Sequence, residues 1–237
     1  MNVKADVRSG LRAEGFRFVA GADFLLEATC AQAMDALRDG WGDLPVDPYL
    51  PRGATYRRRR HARFLMDHDG GVRHDAAPGY FQSLDVNRLA GGVVRYFASL
   101  DGEQVRNHFL RGLMRSNAML FATCSGAPPA YWTVNVHLVR TTASPGFVGL
   151  PSPEGLHRDG FDFIAVHHMS RRNVTGGRTE IRSTDGTLLA HRTFTHPLDS
   201  LYADDARVLH DVTPLVWDGH GGGGFRDMLL MSYEAGK

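Results

Sequence analysis

From about Trp132 onward the chain is a succession of short alternating runs: "YWTVNVHLVRTT", "FDFIAVHHMS", "GRTEIRST", "TLLAHRTF", "SLYADDARVLHDVTPL" and "FRDMLLMSYE", punctuated by Gly, Pro and Asp. Many short strands at regular spacing restrict a chain to a sandwich or a barrel, because each half-apolar strand must bury one face against a facing sheet. No internal repeat is evident, and "DGHGGGG" (Asp218 to Gly224) reads as a flexible hairpin loop. The first half has another texture. "DFLLEATCAQAMDALRDG" spaces Leu25, Leu26, Cys30, Met34 and Leu37 helically and stops at Gly40. "SLDVNRLAGGVVRYFASLDGE" reads as a second helix, with Asp85 as N-cap and Val93, Tyr96 and Phe97 on its apolar face. "QVRNHFLRGLMRSNAMLFATC" reads as a third, and "TYRRRRHARF" as a strand. The expected class is α+β, with helices gathered in the first half supporting a β-rich second half.

The 237 residues suit one large domain or two small ones. A formal net charge of +1 gives no global attraction to nucleic acid or an acidic membrane. Cys30 and Cys124 lie far apart without a CxxC spacing, which argues against a disulfide framework or a thiolate zinc site. The N-terminal "MNVKADVRSGLRAEGF" has no apolar h-region, and no run approaches a membrane span. The expected setting is cytoplasmic.

Among the twelve histidines, "PEGLHRDGFDF" places His157 and Asp159 two residues apart between Gly155 and Gly160. On a strand the two would face one way and Arg158 the other. The pair suits two readings, a metal site or a polar strand end. In "DDARVLHDVTPL", His210 shares a face with Val208 and Val212 and so points inward. Two imidazoles and one carboxylate are the donor set of a non-haem Fe(II) facial triad, whereas zinc more often recruits a third His or a Cys. On the last strand Arg226 shares a face with Met228, Leu230 and Ser232. A cation on an apolar face is costly unless it meets an anion, and a guanidinium suits a carboxylate; a pair with Asp227 is the plainer alternative.

In its order, His-x-Asp, a distal His and then an Arg, the chain resembles the Fe(II)/2-oxoglutarate-dependent dioxygenases. "PSPEGLHRDGFDFIAVHHMSRRNVTGGRTEI", "FTHPLDSLYADDARVLHDVTPL" and "FRDMLLMSY" are similar to the bacterial subfamily of free amino acid hydroxylases that contains L-isoleucine 4-hydroxylase. The similarity is dense from about Tyr131 to Tyr233 and thinner upstream. It implies a double-stranded β-helix (a cupin-like jelly roll) and one dioxygenase domain over 1–237, with 1–130 as helical support and first strands and 131–237 as the core carrying the metal site. It implies that His157, Asp159 and His210 ligate Fe(II), that Arg226 binds the distal carboxylate of 2-oxoglutarate, and that O2 is consumed, with ascorbate stimulatory. Met228 stands where many members carry a hydroxyl in an Arg-x-Ser pair, so the second partner of that carboxylate is open. Asp159 is intact, unlike the small residue of the halogenases.

The remaining residues carry weaker signals. In "TYRRRRHARF", Arg57 and Arg59 fall on one strand face, Arg58 and Arg60 on the other. The run is too short and too poor in aromatics for a nucleic-acid site. Either the whole strand is solvated, or one pair reaches the mouth of the site to meet a substrate carboxylate, with Arg57 and Arg59 as candidates. Asn135 and His137 share a face with Thr133 and Val139 and suit either a pocket wall, with Asn135 toward the cosubstrate, or a satisfied polar pair in the core. His167 shares parity with Asp159 and Phe163 and is a candidate for the substrate pocket or for core packing. Asp205 and Asp211 are close enough in sequence to support the ligands, with surface ion pairs the blander role. Arg178 and Glu180 are expected to pair on an exposed face.

The leading expectation is a hydroxylase of an unactivated C–H bond in a free L-amino acid or similar small metabolite, converting 2-oxoglutarate and O2 to succinate and CO2. Its expected partners are that small molecule, no nucleic acid and no membrane, with a homodimer allowed. A peptide- or carrier-bound substrate is the near alternative. A non-catalytic jelly roll binding metal and 2-oxoglutarate is the distant one.

Overall fold

Asn107 starts the longest helix by accepting a hydrogen bond from Leu110 N–H, and Phe109, Leu113, Asn117 and Phe121 then recur every fourth residue on its buried side. The structure is a computed structural model that describes all residues except 1, 4, 76–78, 88, 90 and 237. Its first half runs β1 (Asn2–Val3), α1 (Val7–Glu14), β2 (Phe16–Val19), β3 (Phe24–Leu25), α2 (Ala28–Asp39), β4 (Arg57–Asp67), β5 (Val72–Asp75), α3 (Gly102–Arg106) and α4 (His108–Cys124). The second half is strands: β6 (Tyr131–Ala143), β7 (Phe163–Arg172), β8 (Val174–Gly176), β9 (Arg178–Arg182) and β10 (Leu188–Thr193). It ends with β11 (Ser200–Asp204), β12 (Leu209–Val212), β13 (Leu215–Trp217) and β14 (Gly224–Gly236).

The strands form a seven-stranded major sheet, β2-β11-β7-β14-β6-β4-β5, and a minor layer of β10-β9-β12 and β13-β8. These are the two faces of a jelly roll. Alternation assigns each major strand one face to the helices and one to the minor layer. Phe64, Val134, Leu138, Leu229 and Tyr233 pack with Phe109 and Phe121 on the helical side. There the Phe121 ring stacks on Phe163 at 4.7 Å and Tyr233 Oη donates to Met114 O. On the other side Phe16, Ile164, Leu201 and Met228 meet Ile181, Phe194 and Val208 of the minor layer.

The expected second helix does not form. Among its described residues, 84–86 make a turn, Gly92 N–H closes back on Gln82 O, and Arg95 bridges to Tyr80; positions 88 and 90 lie outside the described residues. Gly92 sits at φ +77°, which no right-handed helix passes through, and Val93 and Tyr96 are exposed while Arg95 is buried. The sequence reading also missed α1, a short helix capped by Asp6 and closed by Gly15 in the left-handed region. Among the described residues no helix is long and apolar enough to cross a membrane.

Candidate metal centre

The loop before β7 and strand β12 meet through a two-residue antiparallel bridge: His157 N–H donates to His210 O (3.0 Å) and His210 N–H to His157 O (2.8 Å). That bridge places the imidazoles 4.3 Å apart, centroid to centroid. His157 Nε2 lies 3.6 Å from one Asp159 carboxylate oxygen, and His210 Nε2 lies 3.9 Å from the other. The three donor atoms lie within 4.8 Å of one another. Two ligands at about 2.1 Å from one ion sit at most about 4 Å apart, so small side-chain adjustments bring this set onto a single metal. His157 Nδ1–H donates to Gly155 O at 2.7 Å, which fixes the tautomer that frees Nε2. The His-x-Asp pair is therefore on an irregular loop rather than a strand, yet Arg158 does point away, 3.9 Å from Asp85.

The electrostatics also fit a cation. Against the effect of burial, the Asp159 and Glu154 carboxylates lift His157 to about 9. Burial opposes ionisation of Asp159, but the His157 hydrogen bond and the His210 charge hold it at about 2. Burial and the charge of His157 depress His210 to about 4. One proton is thus held among three donors, His210 buried and His157 and Asp159 half-buried, and a divalent ion would replace it. Asp205 supports the loop from beneath: it is buried and accepts from the backbone N–H groups of Asp159 (3.0 Å), Gly160 (2.5 Å) and Phe161 (3.1 Å). Burial, with the nearby Asp159 charge, raises Asp205 to about 6. It is no surface ion-pair residue. Asp211 stays half-buried and accepts from Val212 N–H.

Arg226 enters the same cavity from β14 and is 3% exposed. Its Nε and Nη2 have no hydrogen-bond partner, and Arg171 adds a second cation beside it. Asp227 points to the opposite face and takes a two-pronged ion pair from Arg140, which removes the plainer reading of Arg226. Burial pulls the Arg226 guanidinium down to about 9. Gly177, at φ +69°, explains the "GG" of "NVTGGRTEI": a Cβ there would sit 3.3 Å from Arg226 Cδ and 2.7 Å from Leu215 Cδ2. Thr179 lines the cavity with its buried Oγ1 unpartnered. Buried donors of this kind, without acceptors, fit an anionic ligand.

A profile of the 2OG-Fe dioxygenases matches residues 38–232. This chain belongs to that family. The dioxygenase is 27% identical over 227 residues to the 3(1)-hydroxy-L-isoleucine 4-dioxygenase of Pantoea ananatis, covering 93% of this chain and 86% of that protein. It is 25% identical over 224 residues to the L-isoleucine-4-hydroxylase of Bacillus thuringiensis, covering 93% and 91%. Among solved structures, a bsmA homolog from Methylobium petroleophilum PM1 superposes with a TM-score of 0.87 at 31% identity, covering 99% of this chain and 94% of that one. The family implies Fe(II), 2-oxoglutarate and O2 as cofactor and cosubstrates, and the donor set and the buried Arg226 of the dioxygenase suit the first two.

Sequence alternation brings Arg57, Arg59 and His137 to the same cavity as His157, Asp159, His210 and Arg226. It does not do so for two residues. Asn135 lines a neighbouring cavity, where its Oδ1 accepts from His61 Nε2 at 3.1 Å. His167 faces the helices, held between Asn117 Nδ2 and Ser200 Oγ. Arg178 and Glu180 do pair, at 2.5 Å, but not on an exposed face, because Glu180 is buried and is also held by Arg182. Missed altogether were Arg95, Gln82, Tyr80 and Thr179, which line the dioxygenase cavity, and Asp47, which is fully buried against Arg57 and Arg59. A lone Asp between the prolines of "PVDP" is the one trace of this in the sequence.

Proposed function

We propose that this dioxygenase hydroxylates an unactivated C–H bond of a free L-amino acid or similar small metabolite, with 1–237 acting as one catalytic domain. The observation that carries the proposal is the convergence of His157, Asp159 and His210 on a cavity that Arg226 enters from the facing sheet. The two isoleucine-directed relatives support an amino-acid substrate. In this reading the two imidazoles and Asp159 hold Fe(II), which when bound couples decarboxylation of 2-oxoglutarate by O2 to C–H oxidation.

The chain's own residues position and exclude. Arg226 takes the distal carboxylate of 2-oxoglutarate through its free Nε and Nη2, and Thr179 Oγ1 supplies the hydroxyl that Met228 lacks. Ile164, Val166, Leu201 and Leu230 line the same cavity and keep water from the cosubstrate chain. Asp205 holds the Asp159 loop through three N–H groups, and Gly155 O fixes the His157 tautomer. Two free cysteines are compatible with work in the reducing cytoplasm.

The test is succinate release from 2-oxoglutarate with Fe(II) and ascorbate, screened across the proteinogenic amino acids for a gain of one oxygen by mass spectrometry. Turnover with at least one amino acid, lost in His157→Ala and Asp159→Ala, is expected. No turnover with any of them removes the free amino acid reading, and turnover surviving either substitution removes the iron site.

A further inference from the structure

Opposite the metal centre, three buried cations of the major-sheet side stand against one carboxylate. Arg57, Arg59 and Arg95 are each more than nine-tenths buried and line the cavity that holds His157 and Asp159. Asp47, 1% exposed, takes Arg57 through Nε and Nη2, both at 2.9 Å, and Arg59 through Nη1 at 3.5 Å. Arg57 is thereby engaged. Arg59 and Arg95 are engaged only in part: each keeps an Nε without an acceptor. Arg95 otherwise donates to Gln82 Oε1, and Arg59 Nη2 donates to His137 Nδ1 at 2.8 Å. Because that bond makes Nδ1 the acceptor, His137 carries its proton on Nε2, a third buried donor with no partner.

The two guanidiniums converge. They flank the same two rings, with Arg59 4.1 Å from the Phe97 centroid and Arg95 4.9 Å from that of Tyr80. Tyr80 in turn feels Asp159 as well as both arginines, so this wall borders the metal centre. Like cations are held together in a low-dielectric site only when an anion completes them, and Asp47 offsets one of three. Ring packing holds the guanidinium planes in place before any ligand arrives, which lowers the entropic cost of binding.

We infer that Arg59, Arg95 and His137 form a receptor for a free carboxylate of the substrate, so that the enzyme selects the unmodified acid over an ester-, thioester- or amide-linked residue. This rests on the function proposed above and names what that site reads. A carboxyl group joined to a carrier or a peptide carries no charge, and its linkage would have to pass through the wall that the three donors close. Arg57 serves as a positioning residue, holding Asp47 and through it Arg59.

The experiment uses the full chain loaded with Mn(II) and 2-oxoglutarate, titrated calorimetrically with the twenty proteinogenic L-amino acids and with their methyl esters and primary amides. At least one free acid is expected to bind, with its ester and amide weaker by about 100-fold. In the Fe(II) enzyme, Arg95→Gln and Arg95→Lys are expected to raise KM for that acid by a similar factor while kcat changes far less, because the clamp acts on binding. An ester or amide that binds as well as the acid overturns the inference without any variant having to fold. So does an unchanged KM in folded Arg95→Gln, or 2-oxoglutarate binding with no amino acid bound. Failure to bind 2-oxoglutarate at all overturns the parent function as well, which separates the two failures.

Discussion

Gln82 Nε2 donates to the backbone carbonyl of Asp159 at 2.9 Å and lies 3.5 Å from its Oδ1. The other end of the same amide accepts from Arg95 and from Asn87 Nδ2. One side chain therefore ties the metal-centre loop to the cationic wall, and its amide is oriented from both ends. Gln82→Leu is expected to lower Mn(II) or Co(II) affinity about tenfold, the usual effect of losing a group that orients a ligand. Metal titration of the purified variant checks this; an unchanged affinity shows that Asp159 is held well enough by Asp205 alone.

Asp205 gathers three backbone N–H groups of the 159–161 segment. Asp205→Ala leaves those part-buried donors without their acceptor, and each charge-assisted bond contributes about 1.5–3 kcal/mol. The expected outcome is a stability loss of about 3 kcal/mol or more in urea unfolding, together with weaker metal binding. Asp205→Asn retains acceptor oxygen and should recover part of both. Equal losses in the two variants would mean that the negative charge, not the acceptor geometry, holds the loop.

The legible parts of this molecule are those where one sheet face is buried. Arg226, Met228, Leu230 and Ser232 were correctly grouped because β14 is a regular strand with a core on each side, so parity alone sorts its residues. Arg57 and Arg59 separated from Arg58 and Arg60 for the same reason. His167 was misplaced because its parity was counted through the loop from Asp159 to Phe163, where Gly160 at φ +82° breaks the alternation. Arg95 was hidden by an apolar spacing that mimics a helix but is cut by Gly92, and it is covered by Tyr80 and Gln82, partners more than ten residues upstream that no local pattern reveals. Asp205 looked like a surface acid because three backbone donors converging on one carboxylate is a tertiary arrangement.

Four buried histidines outside the metal centre set the acid limit of the fold. Desolvation holds His61 and His167 at about 3 and His168 at about 4, and holds His137 well below its ordinary value with help from the Arg59 charge. The unfolded chain protonates them near 6.5, so above that pH neither state binds these protons and their stabilising effect is complete. As pH falls below about 6.5 the unfolded state alone gains protons, and stability drops by up to about 1.4 kcal/mol per pH unit per histidine. His167→Gln keeps partners for Asn117 and Ser200 and isolates one of the four. Urea midpoints at pH 7.5 and 5.5 should differ less in the variant than in the wild type, and an identical difference would show that His167 protonates in the folded state.

Arg226 offers a test that separates binding from stability. With its Nε and Nη2 unpartnered and Arg171 beside it, the guanidinium is a net burden on the fold until an anion arrives. Arg226→Met replaces it with an apolar chain of similar length among Met228, Phe194 and Leu215, where the buried charge is no longer opposed. Without 2-oxoglutarate the variant is expected to be at least as stable as the wild type and up to about 4 kcal/mol more so, the range seen when buried charge gives way to packing. Saturating 2-oxoglutarate with Mn(II) should then shift the difference toward the wild type by about 2.7 kcal/mol, because at about 100 times Kd it stabilises the wild type by that much and a protein without the guanidinium by little. Differential scanning calorimetry in both conditions reads that shift directly. A variant that is destabilised without the cosubstrate and still stabilised by it would remove Arg226 from the carboxylate site.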